Sequence, residues 1–417
     1  MKPARSIVFS LLLVLCGSAA ARGTYLYVSN PDTDTVTRFD AASGLLVDVL
    51  VASAAPLERV GGLGFGPDGA LYATDNQGGH GMVGRFDART GAFLGVFVPV
   101  GSGGLRNTSG LVFGPDSNLY VLDTSNTLAS SASDLPLARV LKFDGKTGAA
   151  LGVFVADAGN PFQGNMTFGP DGDLYVSDSG IGAVRRFDAT TGAAKALFVA
   201  PSGGLTLMGI AFGPDGNLYV DSPLPQSTIR VYDGHSGQYL RSISTPTLGF
   251  SYAPRFLPNG NLLLPAGSAP PGGIATLSPS GTLSLAFIPP SAVTLGAGTA
   301  LACEPLAGDV CLGQGRFRVR AEWRTAQGQT GTSRGVRYSD DTGQMWFFSS
   351  SNLEAIVKIL NGCGLNQRYW LFAGGLTNVN VTIHAFDTVR GIAKTYTNPQ
   401  GHAFQPIQDT AAFATCP

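Results

Sequence analysis

Short apolar segments alternate with glycine- and proline-containing turns over the first three hundred residues, and the pattern repeats. A Gly-Pro-Asp-Gly turn or a close variant, followed by a Leu-Tyr pair, begins at Gly66, Gly114, Gly169 and Gly213, and a degenerate copy begins at Leu257. Each copy predicts a first strand before the turn, a second strand after it, and third and fourth strands joined by Asp-x-x-Ser/Thr-Gly. Four antiparallel strands in about 45 residues are the unit of a β-propeller blade.

One further unit lies at the start of the repeat region and lacks a first strand. Tyr25 to Ser29 matches a second strand. Near the other end, Ala292 to Ala300 is left over after the sixth unit has its four strands. We therefore expect six four-stranded blades, with this segment as the innermost strand of the blade begun by Tyr25. Such closure removes the exposed strand edges that invite aggregation.

The repeat ends near Ala302, and residues 302–417 form a different unit. Residues 22–301 are acidic in balance, whereas residues 302–417 are slightly basic. Phe317 to Arg324 alternates strictly between apolar and polar positions, which is typical of a half-buried strand. The sequence predicts an antiparallel β-sandwich here, within an all-β chain. Leu353 to Leu360 is compatible with a strand or a short helix.

The pattern of residues 1–21 predicts that they form a cleaved secretory signal peptide. Lys2 and Arg5 precede an apolar stretch that ends at Cys16, and small residues follow it. Leu15 is too bulky for a lipoprotein site at Cys16. No other apolar run approaches the length of about 20 residues that spans a bilayer. We expect a secreted or periplasmic protein without a transmembrane segment.

Four cysteines remain after the signal peptide. An even number in an exported chain indicates two disulfides. We expect Cys303–Cys311 and Cys363–Cys416, with Cys303–Cys416 and Cys311–Cys363 as the open alternative. The spacing lacks the close Cys-x-x-Cys pairs of a structural zinc site.

Composition limits the partners. Charged residues are only 13% of the chain and the net charge is −1, so no basic surface for nucleic acid is indicated. Of 417 residues, 57 are glycine, which fits many short strands and turns. We expect a monomer whose partner is a protein, a glycan or a small molecule.

The phrase Phe-Gly-Pro-Asp-Gly-x-Leu-Tyr-Val-x-Asp, followed by Arg-Phe-Asp, resembles the NHL-repeat propellers and their relatives, the gluconolactonase-type propellers and streptogramin lyases. The resemblance covers about residues 23–300 and implies a six-bladed propeller. Segments such as Trp346 to Phe348 and Phe372 to Val379 resemble a C-terminal module of secreted bacterial proteins, to which no activity is attached.

Gluconolactonase-type propellers hold a divalent metal with Glu, Asn and Asp at the entrances to first strands. At those positions of this sequence only Asn165 fits, and Glu58 lies a few residues too early. Streptogramin lyases use His and Glu, and here His80 lies in a glycine-rich loop while His235 lies in a turn. We therefore expect no cofactor and no catalytic residue, with a divalent cation such as Ca²⁺ in the channel as the alternative.

Two sets of polar residues are candidates for a site. Residues at second-strand ends recur and are expected to cap their own loops or to pair with the recurring bases Arg38, Arg85, Lys142 and Arg186. These ends are Asn30, Asp75, Asp123 and Asp178, with Asp221 one place earlier in its blade. Residues that interrupt the repeat near first-strand entrances are better candidates for ligand binding; they are Arg59, Arg106, Asn107, Gln163, Asn165 and Arg255.

The loop insertion from Thr124 to Leu137 is a plausible recognition element, because long loops on rigid scaffolds often carry binding. The blade motifs are intact and the catalytic constellations are missing. We therefore predict an exported, non-enzymatic propeller that binds its ligand at one mouth. The alternative is a propeller hydrolase or lyase.

Overall fold

The computed structural model describes most of the chain. The described residues are 24–52, 56–75, 81–124, 138–159, 166–201, 204–246, 248, 251, 253–257, 259–265, 273–288, 299–303, 309–313, 316–339, 341–349, 351–387 and 392–416. The predicted signal peptide lies outside them.

Six antiparallel sheets form a propeller in which strands are ordered from the centre outwards. Blade one has β23 (Thr299–Cys303), β1 (Thr24–Asn30), β2 (Thr35–Asp40) and β3 (Leu46–Val51), and blade two has β4 (Val60–Phe65), β5 (Leu71–Asp75), β6 (Val83–Phe86) and β7 (Phe93–Val98). Blade three has β8 (Thr108–Phe113), β9 (Leu119–Asp123), β10 (Arg139–Phe143) and β11 (Ala150–Val155), and blade four has β12 (Met166–Phe168), β13 (Leu174–Asp178) and β14 (Ala183–Phe187). Blade five has β15 (Ile210–Phe212), β16 (Leu218–Ser222), β17 (Thr228–Tyr232) and β18 (Tyr239–Ser244), and blade six has β19 (Arg255–Phe256), β20 (Leu262–Pro265), β21 (Ile274–Leu277) and β22 (Leu283–Ile288). The six-bladed, all-β expectation is confirmed.

Blade four departs from the pattern at its outer edge. Its outer segment forms only isolated bridges, Phe187 with Ala194 and Val184 with Val199. Between them, the Lys195 ammonium turns inward and binds both carboxylate oxygens of Asp173, at 2.8 and 2.7 Å. This inward ion pair accompanies the loss of a regular outer strand.

The ring closes with strands from both ends of the repeat region. β23 pairs antiparallel with β1, from Thr24 opposite Cys303 to Val28 opposite Thr299. The closing strand is therefore not the segment from Ala292 to Ala300 but one that extends to Cys303. β23 extends to Cys303 because Cys303 is the residue that pairs with Thr24 at the start of β1. Residues 292–298 lie outside the described part of the chain.

In blades one to five, a tyrosine on the second strand packs against a phenylalanine of the next blade. Tyr120 lies edge-on to Phe168 of the next blade, with ring centroids 5.1 Å apart, and Tyr175 meets Phe212 in the same way. The Tyr120 hydroxyl donates to Asp116 in the turn before its strand, at 3.0 Å. Burial, with help from Asp116, raises the pKa of Tyr120 to about 12, so the hydroxyl remains a donor.

The turns between third and fourth strands also fix adjacent blades. Asp87 accepts the backbone N–H of Thr90 at 2.7 Å, as expected for a side-chain cap. Gly91 has φ +73°, and a Cβ there would lie 1.9 Å from the carbonyl oxygen of Leu50 in the preceding blade. Glycine is thus required both by its conformation and by close contact between blades.

Residues 309–416 contain two five-stranded antiparallel sheets. One has the order β24-β25-β31-β32, with β26 on β25, and the other has the order β27-β28-β29-β30-β33. The strands are β24 (Val310–Leu312), β25 (Phe317–Arg324), β26 (Thr330–Thr332), β27 (Arg334–Arg337), β28 (Thr342–Trp346), β29 (Ala355–Gly362), β30 (Arg368–Gly375), β31 (Asn380–Asp387), β32 (Ile392–Asn398) and β33 (Ile407–Phe413).

The two sheets share one apolar core and form the expected sandwich. Residues from both sheets, such as Val319, Val357, Leu371 and Ile383, are fully buried in it. The segment from Leu353 to Leu360 contributes a strand and not a helix. A short helix, α1 (Cys363–Asn366), follows β29. Among the described helices, none has the length and hydropathy needed to cross a membrane.

The disulfide Cys363–Cys416 is present, as predicted. Cys311 is also disulfide-bonded, and the pairing of Cys363 with Cys416 rules out the alternative Cys311–Cys363. The side chain of Cys303 lies outside the described set, so Cys303–Cys311 stays a prediction.

We expect the double change Cys363→Ala and Cys416→Ala to lower the free energy of unfolding by about 4 kcal/mol, because the bridge closes a loop of 53 residues. Thermal unfolding of the sandwich followed by circular dichroism measures this loss. An unchanged unfolding midpoint would contradict it.

Non-reducing peptide mapping of the wild type should also yield a peptide that joins Cys303 to Cys311.

Candidate binding site at one mouth of the propeller

Antiparallel pairing brings three kinds of loop to one end of the ring. Val60, the first residue of a first strand, lies opposite Asp75, the last residue of the second. In blade three, Asp123 lies opposite both Thr108 and Arg139, which begin the first and third strands. The connections between blades and the loops after second strands therefore meet at this end, which we call the mouth. The Gly-Pro-Asp-Gly turns lie at the opposite end, the turn face.

Four aspartates at the mouth are buried, with at most 2% of each residue exposed. Each accepts a backbone N–H from a mouth loop: Asp75 from Glu58 at 3.2 Å, Asp123 from Asn107 at 3.1 Å, Asp178 from Gly180 at 3.1 Å and Asp221 from Ser251 at 2.8 Å. A carboxylate bound in this way holds its loop in place. The expectation that each acid caps its own loop is confirmed for Asp178, whose donor Gly180 follows the same strand. The other three acids instead bind connections between blades.

Two of these carboxylates are also paired with arginine. Arg139 donates through Nε and Nη2 to Asp123, at 3.0 and 2.8 Å. Arg185 donates to Asp178 at 2.7 Å. A Cβ on Gly159 would lie 2.2 Å from the Asp178 carboxylate, so the loop passes closely over this ion pair.

The recurring bases do not pair with these acids, which corrects the prediction from the sequence. In blades two to four they bind the aspartate of the Gly-Pro-Asp turn, and in blade one, which lacks that turn, they bind the fourth strand. The pairs are Arg38–Asp48, Arg85–Asp68, Lys142–Asp116 and Arg186–Asp171. The reason is antiparallel register, because the end of a third strand lies beside the start of the second, at the turn face. Tyr72 opposite Arg85 shows this.

Asp221 differs from the other three acids. It lies one position earlier in its strand, where Ser29 and Ser177 stand in blades one and four. A shift of one residue turns a side chain to the other face of the sheet, and Asp221 binds the connection that leads into the next blade. Among described residues its one hydrogen-bond donor is the Ser251 N–H. Burial raises the pKa of Asp221 to about 7.

The candidate ligand residues are only partly brought together. Arg59 and Arg106 are exposed at blade connections, and Arg59 has φ +53° while its N–H donates to Asp34 at 2.5 Å. The Asn107 amide donates to Thr124 Oγ1 at 3.1 Å, so Asn107 anchors a loop. Arg255 is half-buried at the start of β19.

Other candidates cannot be placed. Gln163, Asn165, His80 and residues 125–137 of the insertion lie outside the described residues. His235 is exposed in its turn at the turn face, far along its blade from the mouth loops.

Sequence reasoning missed Arg139, Arg185 and Ser251, which hold the buried acids or their loops. The register of the antiparallel hairpins is the signal that could have found them. In each hairpin, the first residues of the third strand must lie beside the last residues of the second. This geometry singles out Arg139 as the partner of Asp123.

The described residues do not fit a metal centre of the gluconolactonase type. They include no group of three or more His, Cys, Asp or Glu side chains placed to share an ion. Glu58 is exposed, and the carboxylate oxygens of Asp123 and Asp178 already accept N–H donors. Asn165 is outside the described part, so the absence of a cofactor stays a prediction.

No protein-family model matches the chain, and no curated protein matches it. Among solved structures, a chain of a nidogen/laminin complex is similar with a TM-score of 0.52 and 13% identity, over 66% of this chain and 98% of that chain. The fold is that of a β-propeller. The similarity concerns the fold alone.

Two weaker similarities to solved structures also occur. A virginiamycin B lyase from Staphylococcus aureus, with quinupristin, has a TM-score of 0.44 and 14% identity, over 64% of this chain and 85% of that one. The calcium-binding protein regucalcin from Agrobacterium tumefaciens has a TM-score of 0.43 and 17% identity, over 60% and 79%.

The buried Asp221 predicts a pH dependence of stability. Its pKa is about 7 in the folded protein and near 4 in the unfolded chain. Between these values the folded state holds a proton that the unfolded state has lost, so stability falls as pH rises from about 4 to about 7. Asp221→Asn should remove this component and raise the unfolding midpoint at pH 8. Urea unfolding across this pH range tests it; an unchanged pH profile would contradict the assignment.

Arg139 offers a test of the paired acids. Arg139→Gln leaves Asp123 buried without its cation, and we expect a loss of about 3 kcal/mol in the free energy of unfolding. Arg59→Gln, at an exposed side chain of the same mouth, is the matched control and should change stability little. Equal effects of the two changes in urea unfolding would show that the buried ion pair is unimportant.

Proposed function

We propose that the protein is an exported, non-enzymatic binding protein that recognises a carboxylate-bearing ligand at the mouth of the propeller, in the sector of blades two and three. The observation that carries the proposal is the state of Arg106. Its side chain is exposed, and its guanidinium makes no hydrogen bond or ion pair with any other residue that the structure describes. Guanidinium groups bind carboxylates through two parallel hydrogen bonds.

The surroundings of Arg106 support this choice. Arg139, at the start of β10 in the same sector, is 27% exposed at its side chain, whereas its partner Asp123 is 0% exposed. The Asp123 carboxylate is thus shielded from solvent, whereas the Arg139 guanidinium is partly exposed. The inserted loop after β9 leaves the ring at the same place, and such loops commonly carry recognition.

Binding without catalysis is favoured by the roles of the acids. Asp75, Asp123 and Asp178 are buried and hold loops through backbone N–H groups. General acid–base catalysis needs a titratable group within hydrogen-bond reach of the substrate. A buried carboxylate that accepts a backbone N–H from a loop maintains the conformation of the loops around the mouth.

A propeller hydrolase or lyase is the second candidate, and one observation favours it. Burial raises the pKa of Asp221 to about 7, a range that suits a general acid or base. Its burial under the connection to blade six weighs against contact with a substrate. Turnover of a lactone or a streptogramin by the purified protein, abolished in Asp221→Asn, would establish this candidate and overturn the binding proposal.

We expect the purified protein to bind members of a panel of uronic acids, aldonic acids and short acidic peptides, and to bind their amides more weakly. Arg106→Ala should weaken the best ligand about tenfold, as loss of a charge-assisted hydrogen bond implies. Arg89→Ala, an exposed arginine at the turn face, is the matched control. Isothermal titration calorimetry measures both. Unchanged affinity in Arg106→Ala would reject the mouth as the site.

A further inference from the structure

Strand β25 of the sandwich divides its side chains between two environments. Phe317, Val319 and Ala321 are buried in the core. Arg318, Arg320 and Arg324 alternate with them and lie on the solvent face of the sheet. These three arginines, together with His384, are called the arginine face.

The neighbouring strand supplies little negative charge. Arg318, Arg320 and Arg324 lie opposite Phe386, His384 and Asn380 of β31. The nearby acids are Asp309, which is buried, and Glu322, which lies between the arginines. Both form ion pairs with this face at separations longer than a hydrogen bond: Arg318–Asp309 at 3.6 Å, Arg320–Asp309 at 3.9 Å, Arg320–Glu322 at 3.6 Å and His384–Glu322 at 3.7 Å. The Arg318 guanidinium also lies over the Phe386 ring, 5.4 Å from its centroid.

The hydrogen-bonding capacity of the three guanidinium groups is thus unused within the described structure. Arg318 and Arg320 have only these longer ion contacts, and Arg324 is exposed with no ion pair to another described residue. The propeller uses its arginines differently. Arg139, Arg185 and Arg186 each donate hydrogen bonds to a carboxylate.

We propose that the arginine face binds an extended anionic polysaccharide. Residues two apart on a strand are separated by about 6.8 Å. The strand therefore presents Arg318 and Arg320 side by side and Arg324 beyond Glu322, in an interrupted row of cations along a flat surface. Such a row complements a polymer that carries carboxylate or sulfate groups at intervals. Thr382 lies opposite Glu322 and Thr395 lies opposite His384 on the same face, and their hydroxyl groups suit hydrogen bonds to sugar hydroxyls.

Charge elsewhere favours a polysaccharide over a nucleic acid. The whole chain has a net charge of −1, so no long-range field attracts a densely charged polymer. Attraction must come from the local row of cations and fades within a Debye length, about 8 Å at physiological salt. An anionic polysaccharide fits these conditions better than a nucleic acid, because its many hydroxyl groups can add hydrogen bonds to the short-range ionic contacts. This site is separate from the mouth and does not depend on the function proposed there.

The test uses the full-length mature protein with four immobilised polymers: polygalacturonate, dextran sulfate, unmodified dextran and single-stranded DNA. We expect binding to polygalacturonate or dextran sulfate at 50 mM salt and at least a tenfold loss at 500 mM. Which of the two binds identifies carboxylate or sulfate as the anion. Arg320→Gln with Arg324→Gln should weaken binding at least tenfold. Arg334→Gln with Arg368→Gln, an equal charge change on the other sheet, should leave it within twofold.

Three outcomes would overturn the proposal: equal binding to unmodified dextran, tighter binding to DNA than to either charged polysaccharide, or equal losses in the two double variants. Thermal unfolding checks that the variants fold. If the double variant does not fold, Arg324→Gln alone serves, because this side chain is exposed and should still lower the affinity severalfold. Arg106→Ala should not affect polymer binding, so failure here and failure of the mouth proposal are distinguishable.

Discussion

The pairing of β23 with β1 is the constraint on which the propeller depends. It completes a blade whose other three strands begin the described chain, and it converts six stacked sheets into a ring. The apolar layer between blades one and six contains Leu26 and Val28 from one end and Leu263 and Ile274 from the other. Without closure these residues would face water, and two sheet edges would be open to other chains. The position of every mouth loop follows from this closure.

A closed ring gives the blades two kinds of polar group with separate tasks. At the turn face, Asp116, Tyr120 and Lys142 form a local group that recurs in other blades and ties a turn to its own hairpin. At the mouth, Asp123 and Asp178 bind loops and arginines. Repeated groups of the first kind maintain the blade. The loops that the second kind supports are free to differ, which is where recognition can develop.

The repeat predicted the number of blades, the closure and the turn chemistry, because each depends on local residues. It misplaced the closing strand, since that strand is defined by its partner Thr24 and not by its own apolar run. It also assigned the recurring bases to the wrong acids, because spacing along the chain does not show which ends of antiparallel strands meet. The one-place offset of Asp221 is visible in the sequence, but its consequence is not: the offset turns the side chain toward the connection that leads into the next blade.

The distribution of arginine distinguishes the two parts of the chain. With only 13% charged residues, the protein has few ionic groups, and in the propeller Arg38, Arg85, Arg139, Arg185 and Arg186 are hydrogen-bonded to carboxylates. Such pairs orient loops and turns but leave little charge for a partner. The sandwich places Arg318, Arg320 and Arg324 on one strand without comparable hydrogen bonds. Arg318 and Arg320 are ion-paired with Asp309 and Glu322 only at 3.6 to 3.9 Å. Such long, partly exposed pairs contribute little to folding, so the clustering of three arginines on this face is better explained by an external anion than by the stability of the sandwich.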